Sequence, residues 1–164
     1  MRVAVVGLGG VGGYIAANLT KTSHSRVGFA RGEHIDQIKE SGIKIVEDEE
    51  SWSSKVYASE LDEADGRFDV DLFWVKSYST NTSYEAISKF ISNNTIIVSF
   101  SNGVSNGDEL KKLSSAQVLD GCVYILSHIE EPGVIRKKGN IFAAAFGGLD
   151  QESRTVKPSF DEAS

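Results

Sequence analysis

The stretch Val3-Ala-Val-Val-Gly-Leu-Gly-Gly-Val-Gly12 determines the fold that this 164-residue sequence predicts. Its first four residues, Val3–Val6, form an apolar run with three valines, which is typical of a parallel strand buried on both faces. Glycines then interrupt the run. Beyond them the apolar residues recur at helical spacing, at Val11, Ile15 and Leu19. The stretch therefore predicts a strand, a glycine-rich turn and a helix.

The turn fits the pattern G-x-G-x-x-G, which binds the pyrophosphate of dinucleotides when it joins a strand to a helix. Gly7 permits the tight turn, Gly9 lets an anion approach the backbone, and Gly12 lets the helix pack close to the sheet. Free N–H groups and the helix dipole then favour the anion. A turn without any ligand is the alternative, and the strands on either side argue against it. The predicted contacts are Gly7, Leu8, Gly9, Gly10, Val11 and Gly12.

The end of the second strand indicates which dinucleotide binds. The predicted strand Arg26–Ala30 is followed by Arg31, whereas NAD-binding units usually have Asp or Glu there to bind the ribose 2′-hydroxyl. A guanidinium can hold a 2′-phosphate through charge-assisted hydrogen bonds worth roughly 1.5–3 kcal/mol. Arg31 therefore predicts NADP(H), as NADPH, over NADH. Glu33 leaves NADH as the competing interpretation, because it lies only two residues later.

The rest of the chain alternates short apolar strands with amphipathic helices. Strands are expected at Gly42–Val46, Lys55–Ala58, Asp71–Val75, Thr95–Phe100, Val118–Leu119, Cys122–Leu126 and Ile141–Phe146, and helices at Glu33–Glu40, Asn81–Ile91, Gly107–Leu113 and Ser153–Ala163. The acidic run Glu47–Glu50 is interpreted as a solvated loop, and Asp69 and Asp71 as marking a strand entrance. The alternation predicts an α/β fold, a Rossmann-like, doubly wound, mainly parallel sheet, in one dinucleotide-binding domain of residues 1–164.

The composition narrows the classes of partner. A net charge of −6 argues against a nucleic-acid or anionic-membrane partner, and no apolar run approaches the ~20 residues of a membrane span. A cytoplasmic protein is therefore expected. Cys122 is the only cysteine, which excludes a disulfide within the chain, and it is interpreted as a core residue of an apolar strand. His24, His34 and His128 fit no metal-binding spacing, so no metal is expected.

Several segments together resemble the ketopantoate reductase (2-dehydropantoate 2-reductase) family. In chain order they are Val3–Tyr14, Phe29–His34, Asp71–Tyr78, Ser99–Val104, Gly121–Tyr124 and Glu131–Val134. Their order and spacing agree with the family over essentially the whole chain. The resemblance implies an NADPH-dependent oxidoreductase that reduces ketopantoate to pantoate, on the route to pantothenate and coenzyme A.

The resemblance also implies roles for residues outside the glycine loop. Lys76, just past a strand's carboxyl end, would lie near the nicotinamide ribose, and Asn102 would contact cofactor and substrate. The plainer alternatives are a surface lysine and a turn residue of an Asn-Gly pair. Ser127 corresponds loosely to another cofactor-contacting position. Ser101 and Gly10 depart from the family, which commonly has Gln and Ala there.

Enzymes of this family have two domains, and the resemblance implies that this chain corresponds to the first of them. The family's second, helical domain carries the lysine that protonates the developing alkoxide, and Lys157 does not match that segment. No catalytic residue is therefore assigned in this chain, which is expected to be inactive alone. The substrate of the whole enzyme would be a small 2-oxo acid. An apolar face exposed by the missing domain would favour self-association, as a homodimer.

Two other interpretations stay open from the sequence. One is a non-enzymatic NAD(P)-sensing regulatory module, which would more often carry an acid where Arg31 stands and would lack Lys76 and Asn102. The other is a related reductase of a different 2-oxo acid. The sequence does not separate the latter from ketopantoate reductase, because substrate selectivity would reside mostly in the other domain.

Overall fold

The strand and helix predicted around the glycine loop are both present in the computed structural model, which describes residues 1–60, 65–100 and 106–147. The strands are β1 (Arg2–Val6), β2 (Ser25–Phe29), β3 (Ile43–Glu47), β4 (Glu50–Ser54), β5 (Ala58–Ser59), β6 (Val70–Phe73), β7 (Ile96–Ser99), β8 (Gln117–Glu131) and β9 (Val134–Phe146). The helices are α1 (Gly10–Leu19), α2 (Glu33–Ser41), α3 (Thr80–Ile87) and α4 (Asn106–Leu113), with 3₁₀ turns at Ser77–Ser79 and Ser88–Phe90. The helix expected at Ser153–Ala163 lies outside the described residues.

The strands form one sheet in the order β4-β3-β9-β8-β7-β6-β1-β2-β5. From β8 to β5 every neighbouring pair is parallel. The β8–β9 and β3–β4 pairs are antiparallel hairpins, and β3 runs parallel to β9. The prediction of a Rossmann-like, mainly parallel α/β sheet is therefore confirmed.

The central strands are apolar on both faces because helices cover both faces of the sheet. In β1, Val3 and Val5 pack with α1 and α2, whereas Ala4 and Val6 pack on the opposite side with residues of α3 and α4. This alternation places both halves of the core around β1, β6 and β7. It also sets the position in the sheet at which β1 ends and the glycine loop begins.

The middle segment differs from the prediction. The acidic run Glu47–Glu50 is the tight turn of the β3–β4 hairpin, in which Glu47 pairs with Glu50 and Asp48 adopts a φ of 50°. The prediction of a strand at Lys55–Ala58 is wrong, because the main strand of this segment is β4, which lies before that range. Side chains stabilise this polar strand: the Trp52 indole donates to Glu47 at 2.9 Å, and Lys21 lies 4.1 Å above the Trp52 ring.

The β8–β9 hairpin is also longer than predicted. The two strands expected at Val118–Leu119 and Cys122–Leu126 are one continuous β8, which pairs with β7 only over Gln117–Asp120 and then continues with β9 alone. Beyond that point its side chains alternate between a half-buried face that packs against the core and an exposed face. Cys122 lies on the exposed face, so its interpretation as a core residue is wrong.

Candidate functional site

A cleft of about 340 Å³ opens at the carboxyl ends of β1, β2 and β6. This is the edge at which ligands bind in open parallel α/β sheets. The glycine loop after β1, Arg31 after β2 and Lys76 after β6 all line the cleft, as does His34 from the first turn of α2. The fold therefore brings together three segments that the sequence predicted to contact one dinucleotide.

Backbone hydrogen bonds determine which loop amides are free for a ligand. The N–H groups of Gly7 and Leu8 both donate to the Phe29 carbonyl, at 3.1 and 3.0 Å. Gly13 N–H makes the first hydrogen bond of α1, to Gly9 at 2.8 Å. The amides of Gly10–Gly12 precede it and have no acceptor one turn earlier in the helix. The amides at the start of α1 thus lack helical partners, whereas those of Gly7 and Leu8 are already bonded within the loop.

Packing requires glycine at two positions of the loop, Gly12 and Gly10, but not at Gly9. A Cβ on Gly12 would overlap the Gly7 carbonyl oxygen, so Gly12 permits the close approach of α1 to the loop. A Cβ on Gly10 would come within 2.7 Å of the backbone of His128 and Ser127 in β8, a contact that the sequence did not indicate. Gly9 has nothing within 4 Å, and its φ of −67° suits any residue. The fold itself does not require glycine at position 9.

The open space at Gly9 is the feature that fits a dinucleotide. It lies at the N-terminal end of α1, where unpaired amides and the helix dipole favour a phosphate anion. Any side chain there would fill the space that an approaching pyrophosphate needs. The residues present therefore fit the pyrophosphate of a dinucleotide.

The cationic side chains of the cleft stand at its two sides. Arg31 is exposed at the tip of β2, and Lys76 is exposed after β6. Glu33, the residue that could favour NADH instead, is exposed in the first turn of α2 and is not one of the described residues that line the cleft. Of these two residues, Arg31 alone lines the cleft.

His34 is a site residue that sequence reasoning missed. Its Nε2 lies 2.8 Å from the Leu8 carbonyl oxygen, and its Nδ1 lies 3.1 Å from the Gly133 nitrogen. From the sequence, His34 was considered only as a possible metal ligand. The available signal was its position in the segment Phe29–His34, beside Arg31.

A second cavity of about 330 Å³ adjoins the first, and both are lined by Val75 and Lys76. Its wall is the stacked pair Trp74 and Phe100, whose ring centroids lie 4.1 Å apart at an interplanar angle of 2°. Lys76 therefore stands between the glycine loop and an aromatic wall. Asn102, the predicted substrate contact, follows shortly after Phe100 but lies outside the described residues.

The structure also shows the surroundings of three further polar residues that the sequence singled out, Ser127, Asp69 and Asp71. The Ser127 hydroxyl is buried without a hydrogen-bond partner among the described residues, and the Ser127 carbonyl faces Gly10. Asp69 does mark the entrance of β6, where it accepts a hydrogen bond from the Arg2 amide at 2.7 Å. Asp71 does not: it lies within β6, fully buried, and burial raises the pKa of its carboxyl to about 8.

Neither a metal centre nor a membrane span is found in the part of the chain that the structure describes. Within residues 1–60, 65–100 and 106–147, no three His, Cys, Asp or Glu side chains gather closely enough to hold a metal ion. The helices described there are all too short or too polar to cross a membrane.

Fold and cleft together define a Rossmann-like α/β domain with a glycine loop at the dinucleotide position. The family model for ketopantoate reductase PanE/ApbA matches residues 3–151. The chain belongs to this family of pyridine-nucleotide-dependent reductases. The family resemblance stated from the sequence is thus confirmed.

Individual relatives are similar at moderate identity. The chain is 29% identical to an uncharacterized oxidoreductase, YkpB, of Bacillus subtilis, over 99% of this chain and 54% of that protein. It is 25% identical to a 2-dehydropantoate 2-reductase of Mesorhizobium japonicum, over 83% of this chain and 48% of that protein. The crystal structure of a ketopantoate reductase from Ralstonia eutropha superposes with a TM-score of 0.90 at 27% identity, covering all of this chain and 54% of that one. The chain spans about half the length of these relatives.

Proposed function

We propose that this chain is the NADPH-binding half of a 2-dehydropantoate 2-reductase-like oxidoreductase, which reduces ketopantoate to pantoate for pantothenate and coenzyme A synthesis. The observation that carries the proposal is the open space at Gly9 before the unpaired amides of α1, in a cleft also lined by Arg31 and Lys76. Membership in the ketopantoate reductase family supports the reaction class.

Each group of the cleft has a proposed partner on the cofactor. The amides of Gly10–Gly12 would bind the pyrophosphate, with Gly9 leaving room for it, and Arg31 would bind the 2′-phosphate. Lys76, next to the aromatic wall of Trp74, would lie by the nicotinamide ribose. The bound cofactor would supply a hydride to the ketone carbon. Asn102 is proposed to contact cofactor and substrate, on the family resemblance alone.

Replacing Arg31 by alanine tests the choice of cofactor. Loss of the guanidinium removes charge-assisted bonds to the 2′-phosphate, so the affinity for NADPH is expected to fall about 10- to 150-fold while that for NADH changes little. Fluorescence titration with both nucleotides measures the ratio. Glu33→Gln, an exposed neighbour, is the matched control and should keep the preference. A preference retained in Arg31→Ala would contradict the assignment.

Turnover is expected to need the part of the enzyme that corresponds to the other half of its relatives. No general acid is assigned in this chain, and such a group typically contributes 10²–10⁴-fold. The chain should therefore bind NADPH yet show almost no ketopantoate-dependent NADPH oxidation, measured as absorbance loss at saturating substrate. Appreciable turnover by the chain alone would show that the essential acid lies within it.

A reductase of a different small 2-oxo acid is the second candidate. This second candidate is kept because the chain is similar to a relative that is named only as an uncharacterized oxidoreductase. A panel of 2-oxo acids, assayed with the full-length enzyme and NADPH, would separate the two by their kcat/KM. A cytoplasmic location and a homodimer stay predictions, to be tested by cell fractionation and gel filtration.

A further inference from the structure

We propose that His34 is a positioning residue, which as a neutral imidazole holds the peptide between Leu8 and Gly9 in the orientation that the dinucleotide requires. The proposal rests on the proposed function, because it concerns the same loop. It goes further by assigning a role to a side chain that contacts the loop without belonging to it.

The two hydrogen bonds of His34 define its protonation state. A carbonyl oxygen can only accept, so Nε2, at 2.8 Å from the Leu8 oxygen, must carry a proton. A backbone N–H can only donate, so Nδ1, at 3.1 Å from the Gly133 nitrogen, must be without one. Only the neutral ring with its proton on Nε2 satisfies both partners. The imidazole is half-buried between them.

The first of these bonds orients the glycine loop. In a planar trans peptide the carbonyl of one residue and the N–H of the next point in opposite directions. A Leu8 carbonyl held by His34 therefore directs the Gly9 N–H away from the imidazole. The Leu8 side chain is almost fully buried and its amide is bound to Phe29, so this peptide has little other freedom. His34 thus controls the plane of the peptide that leads into the open space at Gly9.

The second bond anchors the imidazole to a rigid part of the fold. Gly133 lies in the β8–β9 turn at a φ of 77°, and its carbonyl accepts the Lys44 amide of β3 at 2.9 Å. The two hydrogen bonds of His34 thus connect the glycine loop, through the first turn of α2, to the β8–β9 turn. That turn is itself hydrogen-bonded to β3. Gln37 packs against the same glycine from α2. An imidazole held in this way does not rotate freely.

The test is NADPH titration of four proteins, wild type, His34→Gln, His34→Leu and His128→Gln, at about pH 8. Glutamine presents an N–H donor and an oxygen acceptor about as far apart as the two ring nitrogens. His34→Gln should bind like wild type and His34→Leu about tenfold more weakly. The control His128→Gln, whose side chain is exposed, should bind like wild type.

Two results would overturn the inference. They are unchanged affinity in His34→Leu, and equal weakening in His34→Gln and His34→Leu. If His34→Leu fails to fold by circular dichroism, His34→Ala takes its place in the comparison with His34→Gln. Failure of the wild type to bind NADPH at pH 8 would instead overturn the proposed function, and this inference with it.

Discussion

Replacement of Asp71 by asparagine is expected to stabilise the protein by about 4 kcal/mol at pH 7. Asp71 is fully buried in β6, between Ala4 of β1 and Ile97 of β7, and neither carboxyl oxygen has a hydrogen-bond partner among the described residues. Burial raises the pKa of the carboxyl to about 8 in the folded protein. An aspartate in an unfolded chain has a pKa near 3.9, roughly four units lower.

The sign of the effect follows from which state loses its proton first. Between about pH 4 and pH 8 the unfolded chain ionises at Asp71 while the folded protein keeps the proton, so the free energy of unfolding falls as pH rises. Above about pH 8 both states are ionised and the loss is complete. Asparagine has nearly the same shape and does not ionise, so the variant lacks this pH-dependent loss.

Urea denaturation at about pH 4 and about pH 7 measures this difference. The variant and the wild type should differ little at the lower pH and most at the higher. Asp69→Asn is the matched control: it lies two residues away at the strand entrance, where it removes the negative charge of the group that accepts the Arg2 amide, so no gain is expected. An Asp71→Asn protein less stable than wild type at both pH values would mean that the carboxylate has a stabilising partner.

Replacement of Gly12 by alanine is expected to have the largest effect on the site. The new Cβ would overlap the Gly7 carbonyl oxygen and lie 3.1 Å from the Trp74 Cβ, and neither the loop backbone nor the packed strand end can move away cheaply. Overpacking of this kind costs roughly 1–3 kcal/mol. Because the loop must shift, NADPH binding should also be lost. Thermal unfolding and NADPH titration together measure both effects.

Gly9→Ala is the control that separates folding from binding. Nothing lies within 4 Å of the added methyl group, so the melting temperature should stay close to that of the wild type. The methyl group would nevertheless occupy the space proposed for the pyrophosphate, so NADPH affinity should fall at least tenfold. Unchanged affinity in Gly9→Ala would place the pyrophosphate elsewhere, and unchanged stability in Gly12→Ala would contradict the packing argument.

The sequence alone was sufficient to predict the part of the fold whose signals are local, which is β1, the glycine loop and α1. The apolar run of β1, the glycines and the helical spacing of α1 all depend on residues within about twenty positions, and their predicted bounds agree with the structure to within one residue. Arg31 and Lys76 could be placed together because the carboxyl ends of parallel strands share one edge. The family resemblance then added the reaction class.

The rest depends on contacts that local patterns do not reveal. The strand β4 is polar and is held by its partner β3, so its residues resemble a loop. Cys122 looks apolar in the sequence, but β8 has left the sheet centre there and only one of its faces is covered. The charge of Asp71 argues against a position in a buried strand, yet that is where Asp71 lies. His34 meets Gly133 across 99 positions, a contact that only the folded sheet creates.

A ¹⁵N amide chemical-shift titration of the chain with NADPH, with NADH as the comparison, tests directly the proposal that NADPH binds at the start of α1 with its 2′-phosphate at Arg31. We expect the largest shifts at Gly9–Gly12, and shifts at Arg31 that are strong with NADPH and weak with NADH. Saturable binding that leaves the amides of Gly9–Gly12 unmoved, or equal shifts at Arg31 with both nucleotides, would contradict it.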